Sequence, residues 1–371
     1  MRIICAPDKF KQCCTAGEAA NALAQGVLVA APDAEIIKLP VADGGEGTLD
    51  ALRDEFPERR AVKVQDALGR EIEAEFALNG ERALIESAQA CGLWRLDVHE
   101  RNPATTHTYG VGQLITAALD AGAKEIAVGL GGSATSDGGA GMARALGVKF
   151  FDQDGNEVAP TGDTLLSVRK LDLSGLDARL KDVRVRALCD VLAPMLGEQG
   201  ASRQFVVQKG GTTRTMHKLE EGLAMLQLAA QDAGLQGNGL EEGTGAAGGL
   251  GFGLFAFANA ELQHGAREVL KLIAFDELLQ DTNLVLTGEG SFDAQTANGK
   301  LISVLGEYCQ QAGVPLVVLA GAAENVPIPG VTAAFNISTY GDRKQDNLNA
   351  GVANLQRHAE YVTRLLLAGR G

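Results

Sequence analysis

RIICAPDKFKQCCTAGEAANALAQGVLVAAPDAEIIKLPVADGGEGT, residues 2–48, decides the architecture. Its first residues, RIICA, are a short β-branched apolar run that ends on Pro7 and Asp8. Thr15 and Glu18 have the spacing of a capping box, in which side chains and open backbone groups satisfy one another. A helix is therefore predicted through AANALAQGVLVAA. Pro32 and Asp33 turn the chain into a second strand, AEIIKLP (34–40), and the polar loop VADGGEGT (41–48) leads toward a helix near LDALRDE. Strand, helix and strand in this rhythm predict a parallel sheet with crossover helices.

The pattern returns from residue 283, with NLVLTG, a helix near 294–312, VPLVVLAG, AAFNIS and a terminal helix from about 342 to 369. The middle reads differently. AVKV, EIEAEFAL and RALIES (61–87) are closely spaced strands with short turns, which suit antiparallel or mixed pairing. A helix from about His107 to Ala121, the strand KEIAVGL, a short helix before GVKFF, a strand at 183–188 and a long helix at about 213–234 follow. FGLFAFANAEL (252–262) reads as core. The expected fold class is α/β: a doubly wound parallel-sheet domain from both chain ends, 1–65 plus 282–371, with a mixed α/β domain, 66–281, inserted.

With 33 basic and 47 acidic residues the 371-residue chain carries a net charge of −14. It lacks the basic footprint of a nucleic-acid binder, and an anionic membrane surface is a poor partner for it. No apolar run reaches the ~18 residues of a membrane span. MRIICAPDKF places proline and charge where a signal peptide would stay apolar, so a cytoplasmic protein is expected. Six cysteines and five histidines are scattered, without disulfide or zinc-ligand spacing. The informative count is glycine, 47 residues, about twice the usual ~7%.

Those glycines gather in four polar loops: DGGEGT (43–48), GLGGSATSDGGAG (129–141), GTGAAGGLG (243–251) and TGEGSFD (287–293). Each lies at a strand end or helix start, where successive N–H groups and a helix dipole can wrap an anion such as phosphate. A Walker-type loop is absent. The strict G-x-G-x-x-G at Gly243, Gly245 and Gly248 has no strand before it. A looser form at Gly129, Gly131 and Ala134 follows a strand, with Asp152 about 20 residues on, and keeps a dinucleotide site open. No G-x-S-x-G elbow occurs, and His107, the histidine nearest a glycine loop, reads as a capping or surface residue. Asp43, Glu46, Asp137, Asp190, Glu289 and Asp293 lie in or beside these loops or at a strand end. Carboxylates beside bound phosphate need a cation between them, so Mg²⁺ is expected. Lys9, Lys11, Lys209 and Lys300 can neutralise phosphoryl oxygens or a substrate carboxylate. Phosphoryl transfer needs little more than positioned phosphates, a metal, cationic clamps and a group to take a hydroxyl proton.

APDKFK (6–11), PVADGGEGT (40–48), GLGGSATSDGGAGM (129–142), LCDV (188–191), GASRQF (200–205), GTGAAGGLG (243–251) and TGEGSFDAQT with GK at 299–300 resemble, in matching order, the glycerate kinase type 1 family. The sequence departs from that pattern at Gln12-Cys13-Cys14, Ala193 and Val207. The resemblance implies ATP-dependent, Mg²⁺-assisted phosphorylation of D-glycerate, generally to 2-phosphoglycerate, in glycerate, glyoxylate or aldarate catabolism. It also implies a flavodoxin-like domain formed by both chain ends, with a second mixed α/β domain between them. On that reading ATP phosphates rest on Gly131, Gly132, Ser133, Thr135, Ser136 and Asp137, on Gly243, Gly245, Gly248 and Gly249, and on Gly288 and Gly290. Asp190, Glu289 and Asp293 hold Mg²⁺ or orient the hydroxyl, with Asp190 the preferred general base. Lys9, Lys11 and Lys300 clamp the substrate carboxylate and the moving phosphoryl group, and Asp43, Gly44, Gly45 and Lys209 meet the substrate. Three readings stay open beside it: a kinase for another small hydroxy acid, a dinucleotide-binding oxidoreductase, and a noncatalytic metabolite sensor. The expected partners are small molecules only, with no nucleic acid and no membrane, for a monomer or homodimer.

Overall fold

Arg2–Cys5, Glu35–Lys38, Leu284–Thr287, Leu316–Ala320 and Val331–Asn336 form one wholly parallel five-stranded sheet. Numbered along the chain, these strands stand in the order 2-1-3-4-5 across the sheet, the flavodoxin-like doubly wound arrangement. The computed structural model describes residues 1–293, 296, 300–324, 326–339 and 343–369. The expected starts of the helices near 294 and 342, and Ala294, Gln295 and Gly299 of the TGEGSFDAQT and GK motifs, lie outside the described residues.

A parallel sheet must be covered on both faces, and neighbouring residues of a strand point to opposite sides. Ile3, Cys5, Leu286 and Leu319 pack with Leu23, Val27, Leu355 and Ala359, from the helices Ala16–Ala30 and Lys344–Ala368. Ile4, Val285 and Leu316 pack with Leu270, Phe275, Val304 and Leu305, supplied by Gly265–Leu272, Phe275–Leu278 and Leu301–Ala312. The first helix begins at the capping box: Glu18 N donates to Thr15 Oγ1 at 3.1 Å, and Thr15 N to Glu18 Oε2 at 2.9 Å. This sheet and its helices form one unit, residues 1–43, 50–52 and 266–371.

The second unit, residues 44–49 and 53–265, is built on a six-stranded mixed sheet. Across it lie Glu261–His264, Arg184–Cys189, Glu125–Gly129, Arg82–Glu86, Glu71–Asn79 and Glu58–Gln65, the first four mutually parallel and the last two paired antiparallel. Phe76, Ile85, Val128, Phe150 and Phe252 meet in its core.

The division differs from boundaries at 65 and 282 for a pairing reason. Glu58–Gln65 pairs along its whole length with Glu71–Asn79, so it joins the second unit. Ala266, Leu270 and Phe275 pack on the Ile4 face of the first sheet, so that stretch joins the first unit. The helix expected near LDALRDE is only Thr48–Ala51, because the chain must be extended again from Glu58. The apolar run at 252–262 ends its helix at Ala258, and left-handed Asn259 (φ 49°) turns the chain into the strand Glu261–His264, which its composition does not announce.

The helices Ala16–Ala30 and Lys344–Ala368 are in close contact at Gly26. A Cβ there would lie 2.0 Å from the Gln356 carbonyl oxygen and 2.9 Å from Ala359 Cβ. Overpacking such a contact costs about 1–3 kcal/mol. Gly26→Ala should therefore lower the Tm, and an unchanged melting curve would mean that the two helices part at no cost.

Candidate active site

In the order 2-1-3-4-5 the chain leaves strands one and three toward opposite sides, so their carboxyl ends form the topological switch point of the sheet. Asp8 and Lys9 follow Arg2–Cys5, and Gly288 and Glu289 follow Leu284–Thr287. The two turns are tied together: Asp8 N donates to the Gly288 carbonyl at 2.9 Å, and Thr287 Oγ1 to that of Ala6 at 2.6 Å. Only glycine fits at 288, since a Cβ would lie 2.2 Å from the Leu319 carbonyl oxygen. Glu289 Oε1 accepts from Thr296 Oγ1 at 2.9 Å, and that same hydroxyl accepts from Asp293 N at 3.2 Å. Lys300 immediately precedes the helix Leu301–Ala312.

The acids here are held against their ordinary chemistry. Burial, then the Asp43 charge and more weakly that of Glu289, push the Asp8 carboxyl up to about 7, against a hydrogen bond from Lys9 N and the Lys9 charge. Burial likewise raises Glu289 to about 7, with Asp293 and Asp43 adding to it, while Thr296 and Lys300 oppose it. Asp8, Asp43, Glu289 and Asp293 therefore form one electrostatic group with Lys9 and Lys300. Lys11 and Gly290, by contrast, are exposed.

In the second unit three glycine-rich loops meet. The backbone at 44–45 lies flat on the 129–132 loop: a Cβ on Gly129 would fall 2.2 Å from the Gly44 carbonyl oxygen, and one on Gly131 2.6 Å from Gly45 Cα. The 243–251 loop stacks on the far end of the same loop, where Gly138 N donates to the Gly248 carbonyl at 3.1 Å. Ala247, Gly248 and Gly249 are left-handed there, which bends the start of the helix Ala246–Ala258 around Thr135 and Ser136. Gly243, Gly245, Gly248 and Gly249 are all buried.

Two charged residues expected to meet ligand are turned inward. Asp137 is fully buried; its carboxylate accepts from Thr108 N (2.8 Å), Thr108 Oγ1 (2.9 Å), Gly141 N (3.0 Å) and Gly139 N (3.2 Å). It fixes the loop instead of facing a phosphate. Lys209, 3% exposed, donates to Ser133 Oγ at 3.1 Å and to the Thr135 carbonyl at 2.6 Å. Burial pulls its ammonium down to about 8, with Cys91 and Asp137 opposing. It lies beneath the loop as a buried cation, not as a substrate contact. Asp152 closes its own turn, accepting from Asp154 N and Asn156 N at 2.9 and 2.8 Å, which removes the acid of a dinucleotide fingerprint.

The three acids expected to share Mg²⁺ come from both units. Glu289 and Asp293 stand with Asp8 and Asp43 in the first unit, whereas Asp190 belongs to the second and is paired with His264. The motif reading missed both Asp8 and His264. Asp8 had a usable signal, as the first charged residue beyond an apolar strand of a parallel sheet. His264 ends a four-residue strand with no local pattern to mark it.

Acids and lysines gathered where parallel strands end in one unit, and glycine loops that suit an anion in the other, are the marks of an enzyme acting on charged small molecules. Residues 3–367 match the glycerate kinase family, and the chain belongs to that family. It is 37% identical to the glycerate 2-kinase of Escherichia coli over 100% of this chain and 99% of that one. It is 41% identical to the glycerate kinase of Bacillus subtilis, over 98% and 97% of the two chains. A crystal structure of a chain assigned as glycerate kinase 2 from Salmonella typhimurium LT2 superposes with a TM-score of 0.85 at 38% identity, covering 100% of this chain and 99% of that one.

The raised acids give a signed pH dependence. Their folded pKa values, about 7, lie above the unfolded ones, so the native state holds protons that the unfolded chain has released. That stabilisation is complete in acid and is lost as pH rises through about 7. At about pH 8, Asp8→Asn and Glu289→Gln should each raise the Tm of the ligand-free protein by a few °C, roughly 1–3 kcal/mol, and flatten its decline from about pH 5. Differential scanning calorimetry reads both; variants that melt with or below the parent at pH 8 would contradict the repulsion.

Proposed function

We propose that this protein transfers the γ-phosphoryl group of ATP to the 2-hydroxyl of D-glycerate, with Mg²⁺ as the metal. The observation that carries this is the pair Asp8 and Glu289, both held up to about 7 at the switch point of a parallel sheet. Carboxylates crowded in this way take either protons or a cation. Among the described residues no three or more acidic, imidazole or thiol groups close a metal cage. Mg²⁺ asks for less, commonly one or two carboxylates with phosphate oxygens and water completing the shell. Asp8 and Glu289, supported by Asp43 and Asp293, would hold it. When bound, the ion draws negative charge from the phosphoryl oxygens.

The remaining work falls to the chain's own groups. Lys9 and Lys300 neutralise the carboxylate of glycerate and the oxygens of the moving group. Within the second unit the 131–136 loop suits phosphate oxygens, and Lys209 adds positive charge from below while holding Ser133 and Thr135 in place; the 243–249 loop backs it, since the N–H groups of Gly243, Thr244, Gly245, Ala246 and Gly249 already donate inside the fold. A loop fixed in advance by Asp137 and Lys209 needs no reordering when charge moves. The name of the Escherichia coli relative, a glycerate 2-kinase, supports the 2-hydroxyl as acceptor. A place in cytoplasmic catabolism of glycerate, glyoxylate or aldarates is consistent with this reaction.

Incubation with Mg-ATP and D-glycerate, followed by ³¹P NMR, should give 2-phosphoglycerate; 3-phosphoglycerate would overturn the regiochemistry and no phosphate ester would overturn the reaction. Lys209→Met should raise KM for ATP by ~10-fold or more and leave KM for glycerate within ~3-fold. A rise confined to glycerate would return Lys209 to the substrate side.

A further inference from the structure

The last strand of an open sheet presents outward peptide groups that can pair with another chain, and monomeric proteins protect such an edge with charged side chains, proline or a covering element. Among the described residues the two principal sheets have four edges, and three of them carry charge. Glu35–Lys38 is flanked by exposed Glu35 and Lys38. Glu58–Gln65 carries Glu58, Arg59, Arg60 and Lys63, and Glu261–His264 begins with exposed Glu261. The fourth edge, Val331–Asn336, reads VTAAFN and carries none.

That strand is also accessible. Thr332, Ala334, Phe335 and Asn336 are exposed, Phe335 to 38%. Its ladder is used on one side only, by Leu316–Ala320. A register shift leaves Thr332 as an extra residue, whose hydroxyl turns inward and accepts from Leu316 N at 3.2 Å, while Ala333–Asn336 pair regularly. A cavity of about 380 Å³ adjoins the strand, walled by Phe292, Val326, Pro327 and Ile328 opposite Ala334 and Asn336. The lack of charge reaches well past the strand itself. Residues 325–341 contain no Asp, Glu, Lys or Arg, although these make up 22% of the chain.

Charge also selects the partner. Two copies of a chain at −14 repel over most of their surface, and they come together most easily where charge is missing. A second copy presents the same donors and acceptors at this strand, and antiparallel pairing of a strand with its own image across a twofold axis is self-complementary. Such a contact closes on itself: each edge is used up by the other, so association stops at two. We propose that the protein is a homodimer joined through Val331–Asn336. The regular part, Ala333–Asn336, pairs antiparallel about Ala334 and Phe335, and the two five-stranded sheets become one continuous sheet. The cavity walled by Phe292 and Ile328 gives room to apolar side chains of the second copy. Nothing in this contact depends on the phosphoryl-transfer chemistry.

Sedimentation velocity of the full-length protein at micromolar concentration should give twice the protomer mass; a single protomer or open-ended aggregates would overturn the proposal. Salt screens repulsion between like-charged copies, so raising NaCl from ~20 mM to ~0.5 M should tighten the dimer, and weakening would point to an ion-paired interface instead. Ala334→Lys and Phe335→Glu each set like charges face to face across the axis and should raise the dimer Kd at least ~10-fold, with far-UV circular dichroism unchanged. Glu35→Gln, on the opposite edge of the same sheet, should leave the mass at two protomers. A dimer that survives both charges at 334 and 335, or that is lost with Glu35→Gln, forms elsewhere and refutes this contact. Should either edge variant fail to fold, hydrogen exchange of the parent takes its place: amides of 333–336 should slow as protein concentration rises, and exchange independent of concentration would contradict the pairing.

Discussion

Parallel pairing constrains everything else in this molecule. In a parallel sheet every strand ends on the same edge, and the residues just beyond that edge have left the ladder without yet entering a covering helix. Polar groups that serve a ligand therefore gather along that edge. The first unit uses the edge through Asp8, Lys9, Gly288 and Glu289, brought together because strands one and three are neighbours while their connections run apart. The second sets Asp190 and His264 on the corresponding edge, through the register of Arg184–Cys189 against Glu261–His264.

Held at such an edge, polar groups are stable only because the surrounding packing overrides their own preferences. Asp8 and Glu289 are desolvated beside other acids and hold protons to about 7. Lys209 is buried to the point of losing much of its basicity, yet two loop oxygens keep it there. Each is a local conflict that a protein selected for stability alone would remove, and such conflicts collect where function is. Around them the structure is conventional, with two apolar faces on the parallel sheet and glycines wherever one backbone must touch another.

The motif reading went furthest where the signal is local. The capping box at Thr15 and Glu18, the apolar runs of the parallel strands and the antiparallel strands at 58–86 follow from composition and spacing within a few residues. The four glycine loops were visible as loops, because clustered glycine has few other uses. Their side chains were harder to assign. Asp137 looks like a ligand contact in GLGGSATSDGG, but its four donors come from its own loop and from Thr108, a residue well upstream. Lys209 in QKGG looks like a substrate clamp, but it points into the fold toward Ser133 and Thr135.

What the sequence by itself determined is therefore the set of elements and the chemical class. Short-range physics governs both: side-chain periodicity, capping, turn conformation, and the recurrence of acids and lysines among glycines. The tertiary structure alone decided direction and partnership. Whether a carboxylate faces a ligand or its own loop depends on which remote backbone lies against it, as for Asp137. Whether a histidine at the end of a short strand means anything depends on the acid that pairing sets beside it, as for His264 and Asp190. Those contacts span long chain separations, and only the packed sheet brings their members within hydrogen-bonding distance.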